Sequence, residues 1–172
     1  MKIGIIGLGY VGLTFAALAA YKGVNIVALE KNQDIKNSLR NKKAHFFEPG
    51  LDDMLESLIE KKIIVKDSFD IDDKSVDGFF ITVGTPLIDN SKKPNYDHLL
   101  SALDSFKHIY DGSQLVILRS TVSVGTTRTI VIPYLSKISG ISEKDVLVAF
   151  CPERTVEGKA VVELQELPQI IS

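Results

Sequence analysis

The chain opens Lys2-Ile3-Gly4-Ile5-Ile6-Gly7-Leu8-Gly9-Tyr10-Val11-Gly12, a short apolar strand that runs straight into G-x-G-x-x-G. A glycine-rich turn alone is a weak signal, so what surrounds it decides the reading. Downstream, Leu13 to Ala20 is rich in good helix formers and small residues, and Gly23 marks the end of that helix. A second apolar run, Val24 to Leu29, stops at Glu30, about twenty residues beyond the turn, where an acid can hold a ribose. Strand, turn, helix, strand and terminal acid together predict a dinucleotide-binding βαβ unit. In it Gly7 permits the turn, Gly9 lets backbone approach a pyrophosphate at the helix N-terminus, and Gly12 allows the helix to lie close. Leu8, Tyr10 and Val11 contribute backbone to the same turn.

Glu30 also bears on which dinucleotide fits. A 2′-phosphate about 4 Å from its carboxylate meets a repulsion of about 4 kcal/mol at an effective dielectric near 20. NAD is therefore expected over NADP, with Lys31 the one neighbour that argues the other way.

The same strand and helix alternation continues. Ile63 to Val65, Gly78 to Val83, Gln114 to Leu118 and Val146 to Phe150 read as short buried strands, with helices over Pro49 to Lys62, Tyr96 to Ile109 and Thr126 to Ile138. Such alternation predicts an α/β fold of the Rossmann-like, doubly wound kind, a mainly parallel sheet with helices on both faces. Asp89 to Pro94 reads as an exposed loop, and Lys36 to Lys43 as the solvated face of a helix and its exit. The 172 residues suit one domain, and 20 basic against 22 acidic side chains give no electrostatic case for nucleic acid or an anionic membrane. No apolar run approaches membrane-span length and no signal-peptide pattern is present, so a cytoplasmic protein is expected. One cysteine, Cys151, and three scattered histidines (His45, His98, His108) suggest neither an internal disulfide nor a metal site.

In parallel sheets ligands sit beyond the carboxyl ends of the strands, so four tips stand out. They are the glycine turn, Val83-Gly84-Thr85-Pro86, Arg119-Ser120-Thr121-Val122 and Cys151-Pro152-Glu153-Arg154. With Glu48-Pro49-Gly50-Leu51, the run Ser120 to Thr127 and the stretch Glu157-Gly158-Lys159-Ala160, these segments resemble the amino-terminal NAD-binding domain of the UDP-glucose/GDP-mannose dehydrogenase family. The resemblance covers nearly the whole chain. Cys151-Pro152-Glu153-Arg154 followed by Glu163-Leu164 is similar to the branch that oxidises UDP-N-acetylhexosamines rather than UDP-glucose.

The resemblance implies a substrate such as UDP-N-acetyl-D-mannosamine, whose 6-hydroxyl is oxidised to a carboxylate by two hydride transfers to NAD. It implies that Gly7 to Gly12 hold the pyrophosphate, Glu30 the ribose, and Val83, Gly84, Thr85, Pro86 and Leu87 the cofactor backbone. Ser120 then lies near the nicotinamide end, Thr121 and Glu153 position or activate a hydrolytic water, and Glu157 borders cofactor and sugar. Arg154, Thr155 and Val156 fall on the sugar side. By the same resemblance the aldehyde is trapped by a cysteine of a later domain, so Cys151 is expected to be a small buried side chain and this chain alone inactive. Residues 1–172 are then the NAD-binding domain without the family's central helix and sugar-binding domain. The parent enzyme is expected to be a homodimer and this piece a monomer. Ser123 stands where the family commonly has proline.

Each residue also has a plainer reading. Thr121 fits a helix cap, Glu153 an exposed carboxylate, Arg154 a surface ion-pair partner worth at most about 1 kcal/mol, and a sugar-edge role for His45 is a guess. At the level of function, a stand-alone NAD-binding or sensing module, a UDP-glucose 6-dehydrogenase fragment and a two-electron hydroxy-acid dehydrogenase are the competing readings.

Overall fold

A computed structural model describes residues 1–89 and 91–172. Six strands, β1 (Lys2–Ile6), β2 (Asn25–Leu29), β3 (Ile63–Lys66), β4 (Gly78–Ile81), β5 (Leu115–Leu118) and β6 (Val148–Phe150), form one sheet in the order β3-β2-β1-β4-β5-β6. Every neighbouring pair is parallel. The order reverses direction between β1 and β4, which makes the crevice beyond their carboxyl ends the topological switch point.

Alternation along β1 sends Ile3 and Ile5 to one face and Gly4 and Ile6 to the other. The first face is covered by α1 (Tyr10–Tyr21), by Leu39 of α2 (Gln33–Arg40) and by α3 (Leu51–Leu58). The second is covered by α4 (Asp97–Phe106) and α5 (Ile132–Ser139). Helices on both faces and a wholly parallel sheet are what the alternating pattern predicts. The second face is built on aromatic rings: Phe79 stacks on Phe106 at 4.2 Å between centroids and meets Phe69 edge-on. A Cβ on Gly4 would stand 2.6 Å from the Phe79 ring, so β1 lies directly on that stack.

Most element boundaries that shift move inward from the sequence expectation, by one to four residues, because apolar runs extend past the hydrogen-bonded ladder; β3 instead runs one residue further, to Lys66, and α5 ends one residue later, at Ser139. The helix expected from Thr126 instead begins as a π turn over Thr127–Val131 and becomes α-helical only at Ile132. Pro133 is the physical reason: it lacks an N–H and its ring excludes the usual carbonyl partner, so the preceding turn widens. A helix unanticipated from the sequence, α6 (Ala160–Glu166), packs on α1. Asn32 caps α2, its side chain accepting from the N–H groups of Asp34 and Ile35. The loop expected at 89–94 includes Asn90, which lies outside the described residues; around it Ile88 N–H bonds Lys93 O at 2.9 Å. Among the described residues no helix is long and apolar enough to cross a membrane, and no three His, Cys, Asp or Glu side chains gather as metal ligands.

Candidate functional site

The glycine turn takes its shape from three different constraints. Gly7 has φ +94°, and a Cβ there would crowd Val83 and the Thr82 carbonyl at 3.2 and 3.3 Å. At Gly12 a Cβ would fall 2.0 Å from the Gly7 carbonyl oxygen and 2.6 Å from Thr82 Oγ1. The close approach that Gly12 allows is thus between α1 and the turn itself, pinned by Thr82, whose hydroxyl donates to Gly7 O at 2.6 Å. Gly9 differs from both, since nothing lies within 4 Å of a Cβ placed on it. It caps α1, whose first amides have no intrahelical acceptors.

Glu30, at the tip of β2, closes the other side. Its carboxylate accepts from Leu8 N–H and from Asn32 N–H, both at 2.7 Å, so the acid and the turn are one hydrogen-bonded unit. Between them opens a cleft of about 550 Å³, lined by Gly7, Gly9, Glu30, Val83 and Gly84 and floored by Ile6 and Leu29. Its far wall is α4, where Ser101 accepts from Lys31 Nζ at 2.5 Å. Lys31 is therefore engaged across the cleft. Asn32, the cap of α2, and His98, Ser101 and Ser105 of α4 also line it and escaped the sequence reading, because nothing local marks a cap or helix residue that faces a cleft.

The remaining tips gather beside the turn. Ser120 is buried and donates to Val83 O at 2.6 Å, and the Thr85 hydroxyl donates to the Thr121 carbonyl, so the fourth and fifth strand tips are tied together. Thr121 is exposed and makes no side-chain cap; Thr126 instead donates to Ser123 O at 2.8 Å. Pro86 and Leu87 are exposed at the rim. His45 is edge-on to Phe46 and does not line the cleft.

At the sixth strand, Glu153 is not a free surface carboxylate. It pairs with Arg119 and accepts from the backbone N–H groups of Arg154 and Thr155 at 2.8 and 3.0 Å. Burial pushes its pKa up, but the Arg119 hydrogen bond and charge, with the two amides, outweigh that and hold it below the ordinary glutamate value. Arg119 is 3% exposed, lies 4.9 Å over the Phe15 ring, and reaches Cys151 Sγ at 3.4 Å. Cys151 is buried as expected, but its neighbours Arg119 and Gln169 are polar rather than apolar. Arg154 donates to Pro168 O, Thr155 is half-buried, and Val156 and Glu157 are exposed. Glu48, 5% exposed, was legible only as part of a motif; the structure places it under Gly158 and against Tyr10.

A family model described as the UDP-glucose/GDP-mannose dehydrogenase family, NAD binding domain, matches residues 1–172. Among curated relatives, UDP-N-acetyl-D-mannosamine dehydrogenases from Methanococcus vannielii and Campylobacter jejuni are 35% and 31% identical, each over 99% of this chain. The chain spans 38% and 43% of their respective lengths. The solved UDP-N-acetyl-mannosamine dehydrogenase of Staphylococcus aureus superposes with a TM-score of 0.89 at 28% identity, over 99% of this chain and 41% of that one. A GDP-mannose dehydrogenase of Pseudomonas aeruginosa, solved as a ternary complex, gives 0.88 at 26% over 99% of this chain and 40% of its own. With a switch-point cleft, an acid bound to the glycine turn and a family match along its whole length, the chain belongs to the UDP-glucose/GDP-mannose dehydrogenase family as its NAD-binding domain.

Proposed function

We propose that the chain is the NAD-binding half of a nucleotide-sugar 6-dehydrogenase that oxidises the C6 hydroxyl of a UDP-N-acetylhexosamine, UDP-N-acetyl-D-mannosamine foremost, to the uronate by two hydride transfers. The observation that carries the cofactor part is Glu30, bonded to Leu8 N–H at one edge of the switch-point cleft. The sugar rests on the relatives, whose names specify UDP-N-acetyl-D-mannosamine.

Three features support NAD in the cleft: the space beside Gly9 is open, the first amides of α1 have no intrahelical acceptors, and the Glu30 carboxylate lines the cleft as an acceptor for ribose hydroxyls. Bound there, NAD supplies the hydride acceptor. The turn Gly7 to Gly12 holds pyrophosphate, with the Gly7 and Leu8 N–H groups already engaged by Leu29 O and Glu30, Glu30 holds the ribose, and the segment Val83 to Leu87 the cofactor backbone. Ser120 lies toward the nicotinamide, and Glu157 borders cofactor and sugar, with Arg154, Thr155 and Val156 beside the sugar. Thr121 and Glu153 orient the hydrolytic water. Because Arg119 and two amides keep Glu153 ionised, it serves by accepting the water's hydrogen bond; a carboxyl with a depressed pKa is a weak proton acceptor.

Fluorescence titration tests the reading. NADH is expected to bind in preference to NADPH, and Glu30→Ala to weaken NADH binding by about 1.5–3 kcal/mol as charge-assisted hydrogen bonds are lost. Equal affinity for the two dinucleotides overturns the role of Glu30. With the only cysteine buried beneath Arg119, the chain by itself is expected to release no NADH from NAD and any UDP-sugar, and sustained turnover overturns that.

A further inference from the structure

The carboxylate of Glu48 accepts three hydrogen bonds that neither cofactor binding nor the water-orienting pair uses. Oε2 takes the Tyr10 hydroxyl at 2.5 Å and the Gly158 N–H at 2.8 Å, while Oε1 takes the Val161 N–H at 3.2 Å. Tyr10 is the first residue of α1, within the dinucleotide turn, whereas Gly158 and Val161 bracket the exit from the β6 tip into α6. A buried charge costs free energy unless fully satisfied, and here every donor comes from one of those two segments.

The surrounding sequence delivers Glu48 to this junction. Gly50, at φ +78°, caps α3, and Leu51 and Leu55 are fully buried, so the Glu-Pro-Gly-Leu run turns the side chain inward and anchors it there. The Tyr10 ring packs on Phe46 at 4.7 Å between centroids, its hydroxyl also lies 3.2 Å from Gly158 N, and Val156 O is 3.4 Å away. Burial first, and then the Glu48 hydrogen bond and charge, push the Tyr10 phenol well above the ordinary tyrosine range.

We propose that Glu48 is a positioning residue: it fastens the loop around Gly158 to the tyrosine of the dinucleotide turn, so that Glu153 to Glu157 stand in register with the bound cofactor. The assignment of that loop to the sugar side rests on the functional reading above; the fastening itself rests on geometry alone. Coupling follows from the shared carboxylate, since any shift of Tyr10 on cofactor binding is passed to Gly158 through one acceptor atom.

Amide hydrogen exchange on the whole chain, read by NMR, tests it. In Glu48→Gln one acceptor oxygen becomes a donor, and the Gly158 and Val161 amides are expected to exchange about tenfold faster than in the unsubstituted protein. The Tyr10 phenol resonance is expected to titrate at lower pH in the same variant, a signature that a glutamate serving only general stability would not move. Tyr10→Phe removes one acceptor of the Gly158 N–H but keeps Glu48; that amide is expected to exchange about threefold faster with Val161 unchanged. NADH is expected to slow exchange at Gly158 and Val161 in the unsubstituted chain and to lose that effect in Tyr10→Phe. Unaltered Gly158 exchange in either variant, or full NADH-dependent slowing in Tyr10→Phe, overturns the proposal. A chain that binds no NADH sinks the functional reading instead, and the exchange rates without ligand still decide whether Glu48 is the fastening.

Discussion

Arg119 shows how much a single buried side chain can carry. Its guanidinium is paired with Glu153, laid over Phe15 and almost wholly out of water, so removing it strands a carboxylate with two amides as its only partners. Arg119→Met is expected to cost about 3–5 kcal/mol in urea unfolding, the usual penalty for breaking a buried pair from one side. Acid should reveal the same contact. Glu153 has a lower pKa folded than unfolded, so the stability it contributes is complete above the ordinary glutamate value of 4.5. That contribution is lost as pH falls through the lower folded value. Arg119→Met is therefore expected to show a shallower fall in unfolding free energy below pH 4.5 than the unsubstituted protein. From sequence, Glu153 was visible through its motif while Arg119 had no role, because nothing local says that a residue 34 positions earlier will reach it. Glu48 was in the same position: the motif was quoted, and its purpose needed Tyr10 and Gly158 in space.

At the level of elements, α1 and its turn were the most legible part of the chain. The three glycines separate cleanly in the structure, and substitution should separate them in solution. Gly12→Ala drives a methyl into the Gly7 carbonyl and Thr82, and is expected to destabilise the fold by about 1–3 kcal/mol or more, read as a lower melting temperature. Gly9→Ala adds its methyl to open space and is expected to leave the melting temperature nearly unchanged while weakening NADH binding, because that space belongs to the cleft. A shared loss of stability would mean the Gly9 side is packed rather than open. Elsewhere strands were found as apolar runs and mostly overextended, β3 being one residue longer than expected, since hydropathy does not report where a ladder stops. The π turn before Pro133 and the existence of α6 depended on hydrogen-bond geometry and on a distant helix surface, neither of which a local pattern encodes.

Over the whole molecule, the strand order turns a periodic sequence into a site. Starting the chain at the centre of the sheet and winding outward both ways leaves a single reversal, and the glycine turn, Thr82 and Val83 all sit on it. Alternating strands and helices made the fold class legible; which strands neighbour one another came from right-handed crossovers and emerged only with the sheet assembled. A ligand spanning that reversal bridges both halves of the sheet and should stabilise the whole. NADH at about a hundred times its dissociation constant is expected to add about 2.7 kcal/mol, a melting shift of about 5–10 °C, with NADPH giving less at equal concentration. Scanning fluorimetry reads the difference directly.

The contact between Gly4 and the Phe79 ring adds a final consequence. With no side chain of its own, the middle of β1 rests against a ring that is stacked on Phe106 and braced by Phe69, three elements deep. If the cradle above is held still by this stack, an incoming dinucleotide has little backbone ordering to offset, and Phe79→Ala, which removes the stack, is expected to weaken NADH binding as well as lower the melting temperature. Replacements around the mouth can then retune what is grasped without unsettling the seat beneath.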